Sequence, residues 1–313
     1  MKALKIVVTG ASGFIGYSVA RTLAESLPGS TVIGVGKSKE SSVESSFVNY
    51  EYVSCDLLKD QIYKKLPSEI DIIIHLAGDR RTFVKSGEYS GQVLSNIVMT
   101  SYMADYAHLS KAKLFMYSSS VYVYSGNKET PFLEDQVEIP GENLGATKLA
   151  AESLLKTRAV SGQFKAVAFR IGTVYGPGSS REQFISQAIR KLNSSDRIVK
   201  FGNGDIKRDF ICKDDVAQAF RKGLALYDKD IIFEALNVGS GVKTSICEVV
   251  KILGDIIGKK KLIEFNAVNK VAHKADTDHQ LDITKIRAVL GWSPETEIKD
   301  GLRQTVESFT QRQ

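Results

Sequence analysis

The strongest constraint in this chain is rhythm. In the first half, short apolar runs of strand length alternate with longer amphipathic stretches. Leu4–Thr9, Thr31–Val35, Tyr50–Ser54, Ile70–His75, Ala112–Tyr117 and Ala166–Arg170 read as buried strands. Phe14–Leu27, Gly91–Leu109 and Leu144–Arg158 carry helical spacing. Parallel strands need crossover connections, and helices supply them. The alternation therefore predicts an α/β fold, a doubly wound parallel sheet with helices on both faces. After Gly172 the rhythm changes. Glycine and proline cluster in Tyr175-Gly176-Pro177-Gly178, and glycine again in Gly202-Asn203-Gly204. Shorter elements follow, with helices expected at Lys213–Leu226, Ser245–Ile257 and near Lys299–Thr310.

The first predicted strand runs into Thr9-Gly10-Ala11-Ser12-Gly13-Phe14-Ile15-Gly16, a G-x-x-G-x-x-G spacing between a strand and a helix. Gly10 permits a tight turn, Gly13 lets a pyrophosphate approach bare backbone N–H groups, and Gly16 lets the helix pack closely. The strand–loop–helix context turns a weak pattern into a Rossmann-type dinucleotide site. Residues 1–172 are read as the dinucleotide-binding domain, with the chain returning to it near 206–240. Residues 173–313 are read as a smaller α/β substrate lobe. The end of strand two should read the ribose. It offers Lys37, Ser38 and Lys39, with no carboxylate before Glu40. Lys37 and Ser38 suit a 2′-phosphate, so the reading leans to NADP, with NAD open. Asp56, after strand three, is a candidate acceptor for the adenine amino group.

Composition excludes other classes. Of 313 residues, 43% are hydrophobic and 25% charged, which is ordinary globular usage and not that of a disordered chain. No apolar run approaches about 18 residues, so no membrane span is expected, and MKALKIVVTG reads as a strand and not as a signal peptide. The 42 basic and 36 acidic residues are interspersed, which argues against a nucleic-acid partner. The basic run Lys259–Lys261 follows an expected helix end at Gly258 and reads as a solvated turn. Three distant cysteines and four histidines give no metal-ligand spacing, so no metal is expected. His75 reads as a satisfied core histidine, and His273 and His279 as surface residues. A reduced, cytoplasmic location follows from the cysteine usage.

Further segments carry a family resemblance. They are His75-Leu76-Ala77-Gly78, Asn96, Tyr117-Ser118-Ser119-Ser120-Val121-Tyr122 and Gly145-Ala146-Thr147-Lys148-Leu149-Ala150-Ala151-Glu152. Arg170-Ile171-Gly172-Thr173-Val174-Tyr175-Gly176-Pro177-Gly178, Arg208-Asp209-Phe210 and Leu290-Gly291-Trp292-Ser293-Pro294 follow. In this order, across nearly the whole chain, they resemble the extended short-chain dehydrogenase/reductases, the NAD-dependent epimerase/dehydratase family of nucleotide sugars.

The resemblance implies hydride chemistry at a sugar carbon. It makes Ser118 the hydroxyl on the reacting oxygen and Lys148 the cofactor-orienting lysine. It places Gly10, Ser12, Gly13, Phe14, Ile15, Gly16, Leu57, Leu76, Ala77, Gly78, Lys148 and Ile171 against the cofactor. Ser119 and Thr173 would face the substrate, and Arg208 its diphosphate through the rigid donor fork of arginine. The family's acid/base tyrosine, four residues before the lysine, is here Leu144. A leucine transfers no proton. The Asp-Glu pair of 4,6-dehydratases corresponds to Ser119 and Ser120, which argues against that reaction. Tyr122 or Tyr124, in the loop after strand five, is a phenol that would reach the pocket. Tyr124 and Lys128 repeat the Tyr–Lys spacing by chance. Asp79-Arg80-Arg81 is read either as a substrate contact or as an exposed turn.

The expected function is NAD(P)-dependent oxidoreduction at C4 of a nucleoside-diphosphate sugar, led by a 4-keto sugar reductase. A 4-epimerase, an unusual dehydratase and a non-catalytic cofactor-binding protein are the alternatives. The resemblance also implies a homodimer through Gly91–Leu109 and Leu144–Arg158. There Leu149, Leu154 and Leu155 suit either an interface or core packing.

Overall fold

A computed structural model describes residues 3–41, 43, 46–81, 88–194, 197–265 and 277–310. Its strands, in chain order, are β1 (Lys5–Thr9), β2 (Thr31–Gly36), β3 (Tyr50–Ser54), β4 (Ile72–His75), β5 (Leu114–Ser120) and β6 (Lys165–Ile171). They continue with β7 (Thr173–Tyr175), β8 (Val199–Phe201), β9 (Lys207–Cys212), β10 (Phe233–Val238), β11 (Lys243–Ser245) and β12 (Ile263–Phe265).

Seven strands form one parallel sheet in the order β10-β6-β5-β4-β1-β2-β3. The chain winds outward from β1 to β3, then jumps back to β4 and winds the other way. That reversal opens a crevice beyond the carboxyl ends of β1 and β4. The central strands are apolar on both faces because helices cover both. Ile72, Ile73 and Ile74 are fully buried, and each contributes about 1.5–3 kcal/mol of burial free energy. The helix Phe14–Ser26 packs on the core of one face, and Met99–Leu109 with Asn143–Val160 on the other.

The later chain adds a three-stranded sheet, β11-β9-β7, and the pair β12-β8. A separate cluster, including Ile189, Leu192, Val249, Leu253 and Leu302, holds these elements together. The helix Ile246–Ile257 starts with a capping box, in which Ser245 accepts from Glu248 N–H and the Glu248 carboxylate accepts from Ser245 N–H.

Several expectations shift. Strand five runs on through Ser120, so the three serines form the carboxyl-terminal end of a central strand, paired with β6. Its successor, Val121–Tyr124, is a 3₁₀ turn. A π turn, Leu94–Val98, interrupts the helical stretch between Tyr89–Val93 and Met99–Leu109. Leu155 is core, and Leu149 and Leu154 pack against the core clusters, so core packing accounts for those leucines. Among the described residues, no helix is long and apolar enough to cross a membrane, and no group of three potential ligands could hold a metal. His273 lies outside the described residues.

Candidate active site

A cavity of about 1040 Å³ occupies the crevice. That is at the upper end of the usual range for a single ligand, roughly 300–1,000 Å³. The glycine loop forms one end. Gly10 has φ +70°, and a Cβ there would lie 2.8 Å from Ala77 N. A Cβ on Gly16 would lie 2.0 Å from the Gly10 carbonyl oxygen. Loop, helix start and the turn after β4 are thus in backbone contact, and any side chain would force them apart. The helix begins at Phe14 and has no acidic residue in its first turn. Its first N–H groups have no partner within the helix and face the crevice, which suits a phosphate. The cradle therefore fits a dinucleotide.

Thr9 ties the next wall in place. Its hydroxyl accepts from Leu76 and Ala77 N–H, each at 3.2 Å, and contacts His75 Nδ1 at 2.7 Å. His75 is fully buried, and burial with the nearby Lys148 charge pushes its pKa down to about 3. The neutral ring therefore accepts from Thr9 at Nδ1 and carries its proton on Nε2. Nε2 has no partner, so the histidine is only half satisfied. Asn96, in the π turn, accepts from Asp79 N–H at 2.8 Å. It donates to Asp79 C=O at 2.9 Å and to Thr147 at 3.0 Å. One side chain therefore fastens the loop after β4 to the helix that carries Lys148.

Lys148 is 5% exposed. Its Nζ donates to the Ser118 carbonyl at 2.8 Å and lies 4.8 Å from the Tyr117 ring centroid. Burial lowers its pKa to about 8, against the opposing pull of Glu152 and Asp79. The Ser119 hydroxyl donates to Glu152, and Glu152 accepts from Arg170 at 2.8 Å. Arg170 also pairs with Glu138 at 2.6 Å and donates to Tyr124 at 2.6 Å. Ser119 lines the cavity, so this buried network reaches the cavity wall through it. Ser120 accepts from Tyr122 N–H and is half-exposed on the cavity wall.

Most expected site residues converge. Gly10, Ser12, Gly13, Phe14, Ile15, Gly16, Lys37, Leu57, Leu76, Ala77, Gly78, Ser118, Ser119, Lys148, Ile171 and Thr173 all line the cavity. Ser38, Asp56 and Arg208 stand outside that wall. The Asp56 carboxylate accepts from Leu58 N–H at 3.1 Å and lies 3.4 Å from Lys37 Nζ. Arg208 donates to the Thr277 carbonyl at 2.7 Å. The Asp209 carboxylate turns instead to Ser240, Gly241 and Leu281. Asp79, Arg80 and Arg81 line the cavity, and Arg80 reaches across to Ser180 at 2.7 Å. Of the two phenols expected to reach the pocket, Tyr122 lines the cavity and Tyr124 does not, while Ser120, Gln183, Phe184 and Gln187 are among the lining residues that the sequence did not mark as binding residues. Nothing local in the 183–187 segment signals this, because only the folded chain brings it to the crevice. His279, expected at the surface, is fully buried against Tyr122 and Phe132.

The model of the NAD dependent epimerase/dehydratase family matches residues 6–239. Human dTDP-D-glucose 4,6-dehydratase is 27% identical over 98% of this chain and 90% of its own length. UDP-glucuronate 4-epimerase of Thermodesulfobacterium geofontis is 30% identical, covering 96% of this chain and 94% of its own. A solved structure of MoeE5 with UDP-glucuronic acid and NAD superposes with a TM-score of 0.87 at 26% identity, covering 99% of this chain and 100% of its own. The expectation of NADP as main cofactor finds no support here, since the family description and that complex both specify NAD. Sequence, sheet order and glycine cradle together place the chain in the NAD dependent epimerase/dehydratase family.

Proposed function

We propose that this chain binds NAD and a nucleoside-diphosphate sugar and carries out oxidation and reduction at the sugar's C4, with 4-epimerisation as the outcome. The observation that carries this is the meeting of the glycine loop with Ser118, Ser120 and Lys148 in one crevice. Bound NAD would take and return the hydride. The loop's N–H groups hold its pyrophosphate, and Leu57, Leu76, Ala77, Gly78 and Ile171 enclose the rest. Lys148 orients the nicotinamide end. Ser118 and Ser120 hold the reacting oxygen, Thr173 and Ser119 border the sugar, and Arg208 is assigned to the diphosphate. Ser119 and Ser120 supply no carboxylate pair, which favours epimerisation over elimination. The relatives lend the 4-keto reductase expectation no specific support. We also carry forward the homodimer, with Val93, Leu94 and Tyr102 exposed on its expected face, and the two-lobe division near 172.

Leu144 favours a second reading, a protein that binds both ligands without turnover. Purified protein with NAD, offered UDP-glucuronic acid and UDP-glucose, separates the two. Formation of the C4 epimer, resolved by NMR, supports the first. Binding of both ligands in calorimetry with no epimer and no reduced cofactor supports the second. Failure to bind NAD overturns both.

A further inference from the structure

The proton that accompanies hydride transfer needs a carrier, and Leu144 leaves its usual place empty. Lining the cavity among the described residues is a single tyrosine, Tyr122. Tyr124 is committed to Arg170 at 2.6 Å and to Asn237 at 3.1 Å, stacked on Phe132. Tyr117 is fully buried behind Lys148. Tyr122 is half-buried, at the start of the turn that leaves the serine strand.

Its position relative to Leu144 is set by backbone contact. The Tyr122 carbonyl rests on Gly145, where a Cβ would lie 2.1 Å from its oxygen. Tyr122 and Leu144 both line the cavity. The ring is held edge-on by His279, centroids 5.1 Å apart at 87°. The hydroxyl hydrogen-bonds with the Arg208 guanidinium.

We propose that Tyr122 replaces the missing tyrosine, giving its phenolic proton to the C4 oxygen during reduction and recovering it during oxidation. This rests on the C4 reading above. In reduction, the arriving hydride forms the new C4–H bond and the carbonyl π pair moves to oxygen. The Tyr122 O–H bond breaks as its proton passes to that oxygen, and the Arg208 guanidinium stabilises the phenolate left behind. Oxidation reverses each movement, so a complete epimerisation consumes no proton. The groups that face the phenol are Arg208 from β9, Glu142 before the Asn143–Val160 helix, and His279. Burial raises the Tyr122 pKa and Glu142 adds to this, while Arg208 opposes both. A protonated phenol is thus the resting form at neutral pH, and Arg208 favours its ionisation only as charge develops.

The test compares wild type, Tyr122→Phe, Tyr122→Phe with Leu144→Tyr, and protein carrying a fluorinated tyrosine at 122, all with NAD bound. Tyr122→Phe should lower kcat about 100-fold, with KM and calorimetric affinities for NAD and UDP within about threefold. Leu144→Tyr should restore at least tenfold of that loss. The fluorinated residue, a stronger acid, should move the alkaline limb of the kcat profile to lower pH, which a merely structural role would not do. Retained kcat in Tyr122→Phe, loss of ligand binding along with kcat, or an unmoved pH limb overturns the assignment. Wild-type protein that binds both ligands but turns over no sugar defeats the C4 reading instead. In that case an ultraviolet phenol difference spectrum on adding UDP-glucose, absent from Tyr122→Phe, still tests whether this hydroxyl meets the sugar, and no difference sinks it.

Discussion

The two ends of the cavity are made of different materials. The end proposed for the cofactor is backbone: Gly10, Gly16 and the Ala77 peptide touch directly, and helix N–H groups offer a charge complement to phosphate. The end proposed for the sugar is side chain: serines from β5, a tyrosine from a 3₁₀ turn and Lys148 from a helix. A backbone site survives most changes around it but fails if one glycine acquires a Cβ. A side-chain site can lose a member outright and keep its shape. Leu144 is an instance, 4% exposed and packed into the wall where the family places a phenol.

The hardest test of that contrast is Gly16→Val. The new side chain would drive into the Gly10 carbonyl, 2.0 Å from its Cβ. Overpacking alone costs about 1–3 kcal/mol, and the displaced loop should weaken NAD binding at least about 1000-fold, roughly 4 kcal/mol. Calorimetry and thermal melts check both, and NAD affinity within tenfold of wild type would refute the backbone account.

At the other end the shape depends on buried charge. Glu152 and Arg170 have side chains only 3% exposed, and Ser119, Glu138 and Tyr124 complete the network. Glu152→Ala leaves the Arg170 charge with Glu138 alone and should cost about 3–5 kcal/mol in urea melts. A loss below 1 kcal/mol would show that the network is dispensable.

Lys148→Met sits between the ends and should lower kcat about 100-fold, roughly 2.7 kcal/mol, with NAD affinity reduced less. It also has a signature in pH. The Lys148 pKa is about 8 in the fold and about 10.4 in an unfolded chain. Between those values the unfolded chain binds more protons, so stability rises with pH at up to about 1.4 kcal/mol per unit. Below about pH 8 that gain is absent. Lys148→Met should flatten the rise and stabilise the ligand-free protein at neutral pH. An unchanged pH slope would mean the ammonium is solvated in the fold.

Legibility in the sequence follows the same division. The sheet and the glycine loop could be read because periodicity and glycine spacing are local signals, and they fall on β1, β2 and the helix between. Strand β10 joined the sheet from a stretch read as a return, because its partner β6 is sixty-odd residues away. The sugar end was harder. Ser120 was counted only as a missing carboxylate, and His279 was expected at the surface because a lone histidine carries no pattern that marks burial. Gln183, Phe184 and Gln187 reach the wall only through tertiary contact.

The lean to NADP has the same origin, and it yields the smallest effect. Along the chain, Lys37 and Ser38 follow strand two with no carboxylate nearby. In the fold, Gly36 pairs with Ser54, and the turn after β3 brings Asp56 to 3.4 Å from Lys37. A 2′-phosphate held by Lys37 would stand beside that carboxylate, and like charges oppose each other. The pair is exposed on the lysine side, 64% for Lys37, so its worth is under about 1 kcal/mol. Lys37→Ala should therefore change NAD affinity by less than about fivefold. Asp56→Asn should improve NADP binding relative to NAD by a similar factor. Wild-type protein that prefers NADP, with the preference lost in Lys37→Ala, would reverse this assignment and return the lysine to phosphate recognition.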